Sequence, residues 1–138
     1  MNPDGSSYTK LHDFNSTDGA NPKARLFELS GVLYGTTRLG GSYSNGVIFS
    51  INPDGTSYSK IHDFTSSQGA YPEAELIEYN SKLFGTTLQG GTYSLGVAYT
   101  IYPDGSSFSK LWDFKPETSL GKNSYASLLE YNLSLIHI

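Results

Sequence analysis

The feature that most constrains this chain is a period of fifty residues. Asn2-Pro3-Asp4-Gly5 returns as Asn52-Pro53-Asp54-Gly55 and again as Tyr102-Pro103-Asp104-Gly105. At that offset, residues 2–51 and 52–101 are identical at 28 of 50 positions. The third copy keeps Ser107, Lys110, Asp113 and Phe114 and then gains two residues. It resumes as Leu128-Leu129-Glu130-Tyr131-Asn132 against Leu76-Ile77-Glu78-Tyr79-Asn80. Self-similarity of this kind marks a repeat architecture, in which a supersecondary unit buries its apolar face only by stacking on its copies. The 138 residues hold about two and a half such units.

Each unit reads as four short strands. Residues 24–29, 32–37, 47–51 and 56–64 are rich in β-branched, aromatic and aliphatic side chains. The same plan recurs at 74–79, 82–87, 97–101 and 106–114. Asn80-Ser81 suits a two-residue hairpin turn, and Pro-Asp-Gly supplies a fixed φ followed by a residue free to take positive φ. Gly40-Gly41 and Gly90-Gly91 interrupt the pattern and mark loops, where a close backbone approach or a bulge would require glycine. Composition agrees, because 15 Gly and 6 Pro punctuate a chain with 11 Tyr and 7 Phe. No 3.6-residue apolar stripe calls for a helix. Four antiparallel strands per fifty residues is the size of a β-propeller blade. The expected fold is therefore all-β, a partial β-propeller of four-stranded antiparallel blades. A β-solenoid is the alternative, although its rungs are usually far shorter. The expected divisions are residues 1–22 as the outer strand of a preceding blade plus linker, 23–64 and 73–114 as blades, and 125–138 as the start of a truncated blade.

Leu33-Tyr34-Gly35-Thr36-Thr37, Gly40-Gly41, Gly46-Val47-Ile48-Phe49 and the Pro-Asp-Gly turn together resemble the GloVer (Gloeobacter/Verrucomicrobia) tandem repeat. Leu11-His12-Asp13-Phe14 and Asp18-Gly19-Ala20-Asn21-Pro22 fit the same consensus, so the resemblance spans residues 2–132. Strand order and Gly-Gly placement are also similar to kelch repeats, with a single Trp at Trp112. The resemblance implies long, exported bacterial proteins, secreted or held at the cell surface, and it implies no defined activity. Leu133-Ser134-Leu135-Ile136-His137-Ile138 resembles a translated sequencing-library adapter where a second strand is due. The sequence is accordingly expected to be a fragment. With apolar residues such as Ile77, Phe84 and Val97 facing absent neighbours, the chain alone is expected to associate.

A residue that does chemistry normally occurs once, whereas one present in every unit usually serves the unit. His12 and His62 are equivalent, and Trp112 replaces them in the third copy, which suits packing better than metal ligation or proton transfer. Asp13, Asp63 and Asp113 recur before a Phe and suit acceptance of loop N–H bonds. Residues 13–19 carry calcium-like spacing, but the second copy lacks the acids a hard cation needs. No nucleophile, base and acid set stands out, so the chain is expected to be non-enzymatic, with no cofactor and no metal. Nine basic against 13 acidic residues leave a net charge of −4 and no basic patch for nucleic acid. No apolar run approaches a membrane span, and the absence of cysteine excludes disulfides.

What remains are two loops rich in Tyr, Ser, Asn and Gly, the composition of adaptable binding surfaces. Their candidate ligand-binding residues are Arg38, Tyr43, Asn45, Gln89 and Tyr93. The first expectation is a non-enzymatic repeat segment for surface display or interaction with surface proteins. The alternatives are a glycan- or peptide-binding module, or part of a secreted enzyme whose active site lies in other blades.

Overall fold

A computed structural model of the chain describes residues 10–115. The expected start of a third unit at 125–138, including the adapter-like hexapeptide, lies outside the described residues, as do Gly5 and Tyr8. Eight strands fold into two four-stranded antiparallel sheets, and no helix occurs among the described residues. The first sheet is β1 (Phe27–Leu29), β2 (Val32–Thr37), β3 (Val47–Ile51) and β4 (Ser59–Asp63), paired in chain order. The second is β5 (Ile77–Tyr79), β6 (Lys82–Thr86), β7 (Val97–Ile101) and β8 (Ser109–Asp113), paired the same way.

The hairpin turns follow their local chemistry. Ser30 and Gly31 take φ of 54° and 84°, and Asn80 and Ser81 take 51° and 65°. Two consecutive positive φ values make the type I′ turn, whose twist matches that of the strands it joins. Glu28 and Glu78 brace these turns by accepting the N–H of Gly31 at 2.7 Å and of Ser81 at 2.8 Å. The two described Pro-Asp-Gly turns close with an N–H bond from Gly55 to the Asn52 carbonyl at 2.9 Å and from Gly105 to the Tyr102 carbonyl at 2.8 Å.

Registers differ from an ideal ladder at one point in each sheet. Ile48 pairs with His62 but Phe49 pairs with Lys60, so Ile61 is bulged out, and Leu111 is skipped equivalently. A bulge brings residues three apart onto one side of a strand. Lys60 thereby reaches Asp63 at 3.0 Å, and Lys110 reaches Asp113 at 3.1 Å.

The main core lies between the two sheets. Tyr34 and Ile48 of the first sheet pack with Leu76, Leu83, Tyr99 and Ile101 of the second unit. β7 is buried along its whole length, so Val97, expected to be partly exposed at an end face, is fully covered. Its side chain lies on the face turned toward the first sheet. Ile77 and Phe84 are partly buried. Apart from four tyrosines, the large apolar side chains left open among the described residues are Leu26, Leu111 and Trp112.

Candidate functional site

The loops after β2 and β6 are held from below by the outer strands. Asp63 accepts the Ser42 N–H at 2.8 Å and the Ser42 hydroxyl at 3.3 Å. Asp113 does the same for Thr92, at 2.9 and 3.1 Å. Burial acts to raise the Asp113 pKa, but the Thr92 N–H and the Lys110 ammonium outweigh it and hold the carboxyl below its ordinary range. The acceptor role expected from the recurrence of this Asp is therefore what Asp63 and Asp113 perform. Asp13 is exposed and pairs with Lys10 at 2.8 Å.

The second Thr of each Gly-Thr-Thr closes the loop neck. Thr37 donates to the Leu39 carbonyl at 2.8 Å and accepts the Val47 N–H at 3.3 Å. Thr87 repeats this with Gln89 at 2.9 Å and Val97 at 3.1 Å. Gly40 has φ of 81°, and a Cβ there would sit 2.6 Å from the Ala20 nitrogen. Gly90 meets Ala70 in the same way. The expected reason for glycine, close backbone approach, is thus realised by the incoming linker.

That linker is the second shared device. Ala20 bridges Leu39, and Ala70 bridges Gln89, so the segment after each outer strand clasps the loop of the following sheet. His12 stacks flat on Tyr58 with ring centres 3.9 Å apart, and His62 stacks on Phe108 at 4.3 Å. Their free ring nitrogens meet Asp18 at 2.9 Å and Gln68 at 3.1 Å. Tyr58 donates its hydroxyl to the Asp18 carbonyl, while Lys60 and Lys110 donate to the carbonyls of Thr17 and Ser67. Both histidines are therefore parts of the joints between units, as their replacement by Trp112 suggests.

The sequence-derived binding residues fall into two groups. Arg38 and Asn45 come together through Tyr71. The Arg38 guanidinium lies 4.9 Å from the Tyr71 ring centre and 2.5 Å from Glu73, and the Asn45 carbonyl accepts the Tyr71 N–H at 2.9 Å. This pair ties the first sheet to the second unit. Tyr43 is 58% exposed and Tyr93 43%, at equivalent loop tips, and Gln89 is exposed beside its clasp. Lys115 places its ammonium 5.9 Å from the Tyr93 ring centre.

A cleft of about 300 Å³ lies on the outer face of the first sheet, lined among others by Leu11, His12, Phe14, Leu26, Phe49 and Ile51. Sequence reasoning missed it. Its signal was available in the period, because the equivalents of these six residues in the next unit are Ile61, His62, Phe64, Leu76, Tyr99 and Ile101. There the first sheet's Tyr34 and Ile48 pack into the matching place. The cleft is thus the repeat equivalent of the surface on which the first sheet packs in the second unit. Among the described residues, no three His, Asp or Glu side chains gather as a metal site.

Two stacked sheets whose polar residues recur with the period and hold loops and joints define a tandem-repeat all-β protein. The sequence model of the Gloeobacter/Verrucomicrobia repeat matches residues 1–136, and the chain belongs to that family. No curated protein and no solved structure matches it.

Proposed function

We propose that the chain is a non-enzymatic segment of an exported bacterial β-propeller protein, serving surface display or interaction. One observation carries this reading. The polar side chains best suited to chemistry recur at fifty residues and are used up in holding the unit together: Asp63 and Asp113 on loops, Lys60 and Lys110 on linkers, His12 and His62 on the next unit's ring. Four-stranded antiparallel sheets joined face to face by a repeated clasp are what a blade requires. Export and surface location rest on family resemblance alone. Long-read sequencing of the surrounding locus tests the proposal. A signal peptide and a sorting tail flanking further repeats of the same kind are expected. A once-only cluster of acids and histidines in neighbouring repeats would instead make the protein an enzyme.

A second reading, glycan or peptide binding, is favoured by Tyr43 and Tyr93. Both are exposed at matching loop tips, and those loops are fixed in place by Asp63 and Asp113. Pre-positioned aromatic rings suit stacking on sugar faces. Glycan-array binding that disappears in the Tyr43→Ala, Tyr93→Ala double variant would support it, and an array without signal would remove it.

A further inference from the structure

The loop that precedes the first clasp carries a modification motif that its repeat partner lacks. Asn15-Ser16-Thr17 is an Asn-x-Ser/Thr triplet, the acceptor sequence for N-linked glycosylation. The same positions read Thr65-Ser66-Ser67 in the next unit and Lys115-Pro116-Glu117 in the third. The sequence holds one other such triplet, Asn132-Leu133-Ser134, which lies outside the described residues and shares its last two residues with the adapter-like hexapeptide.

The course of the loop does not depend on asparagine. Gly41 donates its N–H to the Ser16 carbonyl at 2.7 Å, and Gly91 donates to the Ser66 carbonyl at 2.8 Å. Gly19 and Gly69 take φ of 132° and 133°, and both linkers go on to the same clasp. Thr65 therefore serves where Asn15 stands. Asparagine here departs from the period, in a chain whose other polar residues mostly follow it.

The Asn15 amide is anchored by its oxygen and open at its nitrogen. Oδ1 accepts the Asp18 N–H at 3.0 Å and the Thr17 hydroxyl at 2.8 Å. A backbone N–H can only donate, which identifies the atom held in the turn as the oxygen. Nδ2 makes no hydrogen bond among the described residues, and Asn15, Ser16 and Thr17 are all exposed.

We infer that Asn15 is the acceptor for an N-linked glycan, transferred from a polyprenyl diphosphate carrier by an oligosaccharyltransferase. In the transfer Nδ2 bonds to the anomeric carbon of the first sugar and yields one proton to a base of the transferase. The bond from that carbon to the diphosphate breaks, and polyprenyl diphosphate leaves. The contacts that pin the loop come from Gly41, Tyr58 and Lys60, all later in the chain. A chain exported from its N-terminal side presents Asn15 before those contacts form. Once they form, Nδ2 has no bond that a glycan must break. The inference rests on the export proposed above, because such transfer takes place beyond the cytoplasmic membrane.

The test places the 138-residue chain behind a cleavable export signal, in a bacterial host that supplies an oligosaccharyltransferase, its lipid-linked glycan and a control acceptor protein. Trypsin releases Asn15 on the peptide 11–23 and Asn132 on 123–138, so mass spectrometry reads the two triplets separately. Peptide 11–23 should carry one glycan in the parent and in Thr17→Ser, and none in Asn15→Gln or Thr17→Val. A bare 11–23 peptide beside a modified control acceptor, or a glycan that persists there in Thr17→Val, would overturn the inference. A native gene without an export signal would remove the export reading and leave the result at Asn15 standing.

Discussion

Thr86 and Thr87 are neighbours, and their hydroxyls have opposite fates. The Thr87 hydroxyl joins the Gln89 carbonyl to the Val97 N–H across the neck of a loop. The Thr86 hydroxyl is buried with no hydrogen-bond partner among the described residues. Valine has nearly the shape of threonine without the polar atom. Thr86→Val is therefore expected to be neutral or to stabilise by up to about 1 kcal/mol, while Thr87→Val should cost about 1–3 kcal/mol by orphaning the buried Val97 N–H, the Gln89 carbonyl keeping the Ala70 N–H. Urea unfolding of the two variants checks the difference in sign. Glycines allow a second comparison. Gly31 and Gly105 have similar φ, 84° and 90°, but a Cβ on Gly31 meets nothing within 4 Å, whereas one on Gly105 meets the Ile61 carbonyl oxygen. Gly31→Ala should cost only the backbone strain, about 1 kcal/mol. Gly105→Ala should cost clearly more, because the second joint must open to admit the methyl group. Equal losses in thermal melts would remove the joint as the reason.

At the scale of elements, Leu26 and Leu76 occupy one repeat position beside β1 and β5. Leu26 is 46% exposed and Leu76 1%, because among the described residues only Leu76 has a sheet packed over it. Truncating a buried leucine costs about 2–5 kcal/mol through lost burial and the cavity left behind. Leu76→Ala should fall in that range. Leu26→Ala should cost less than about 1 kcal/mol, as surface changes do. Chemical denaturation of the pair measures the value of one sheet-on-sheet contact with the local sequence held almost constant. Strand positions were largely legible from residue type and period: β2, β3 and β7 begin and end where expected, and β6 ends one residue early. The outer strands were read too long, because Ser57 and Ser107 take φ of 59° and 56° and the hairpin consumes 56–58 and 106–108. The first strands were also read too long. Leu26 and Leu76 lay their side chains over Gly35 and Gly85, and the paired segment begins only at Phe27 and Ile77. Of the candidate site residues, the exposed tyrosines were legible as loop tips. The engagement of Arg38 with Glu73 and Tyr71 was not, because a period states which positions are equivalent and says nothing of which ones meet across units.

For the molecule as a whole, the second joint carries a pH dependence. Burial beside Phe64 and Phe108 pushes the His62 imidazole below its ordinary pKa, with the Gln68 amide and the Asp63 carboxylate opposing. A group so shifted binds fewer protons folded than unfolded. Its stabilising effect is present above the unfolded value of about 6.5 and is lost as pH falls through the folded value. The melting temperature should therefore drop on moving from about pH 7.5 to 5, and the drop should be smaller in His62→Phe, which keeps a ring on Phe108 and cannot titrate. An identical drop in both proteins would show that His62 does not carry it. The clasp of each linker on the next sheet has a further consequence for how such a protein grows. Ala20–Leu39 and Ala70–Gln89, like the two ring stacks, connect positions whose spacing is the same at both joints. Copying or deleting one whole period anywhere along the gene restores every one of these connections, wherever the cut falls. A change one residue short of a period that falls inside a strand would turn the side chains beyond it to the opposite face of that strand. Unequal recombination by whole periods can thus lengthen or shorten the protein without any breakpoint being privileged.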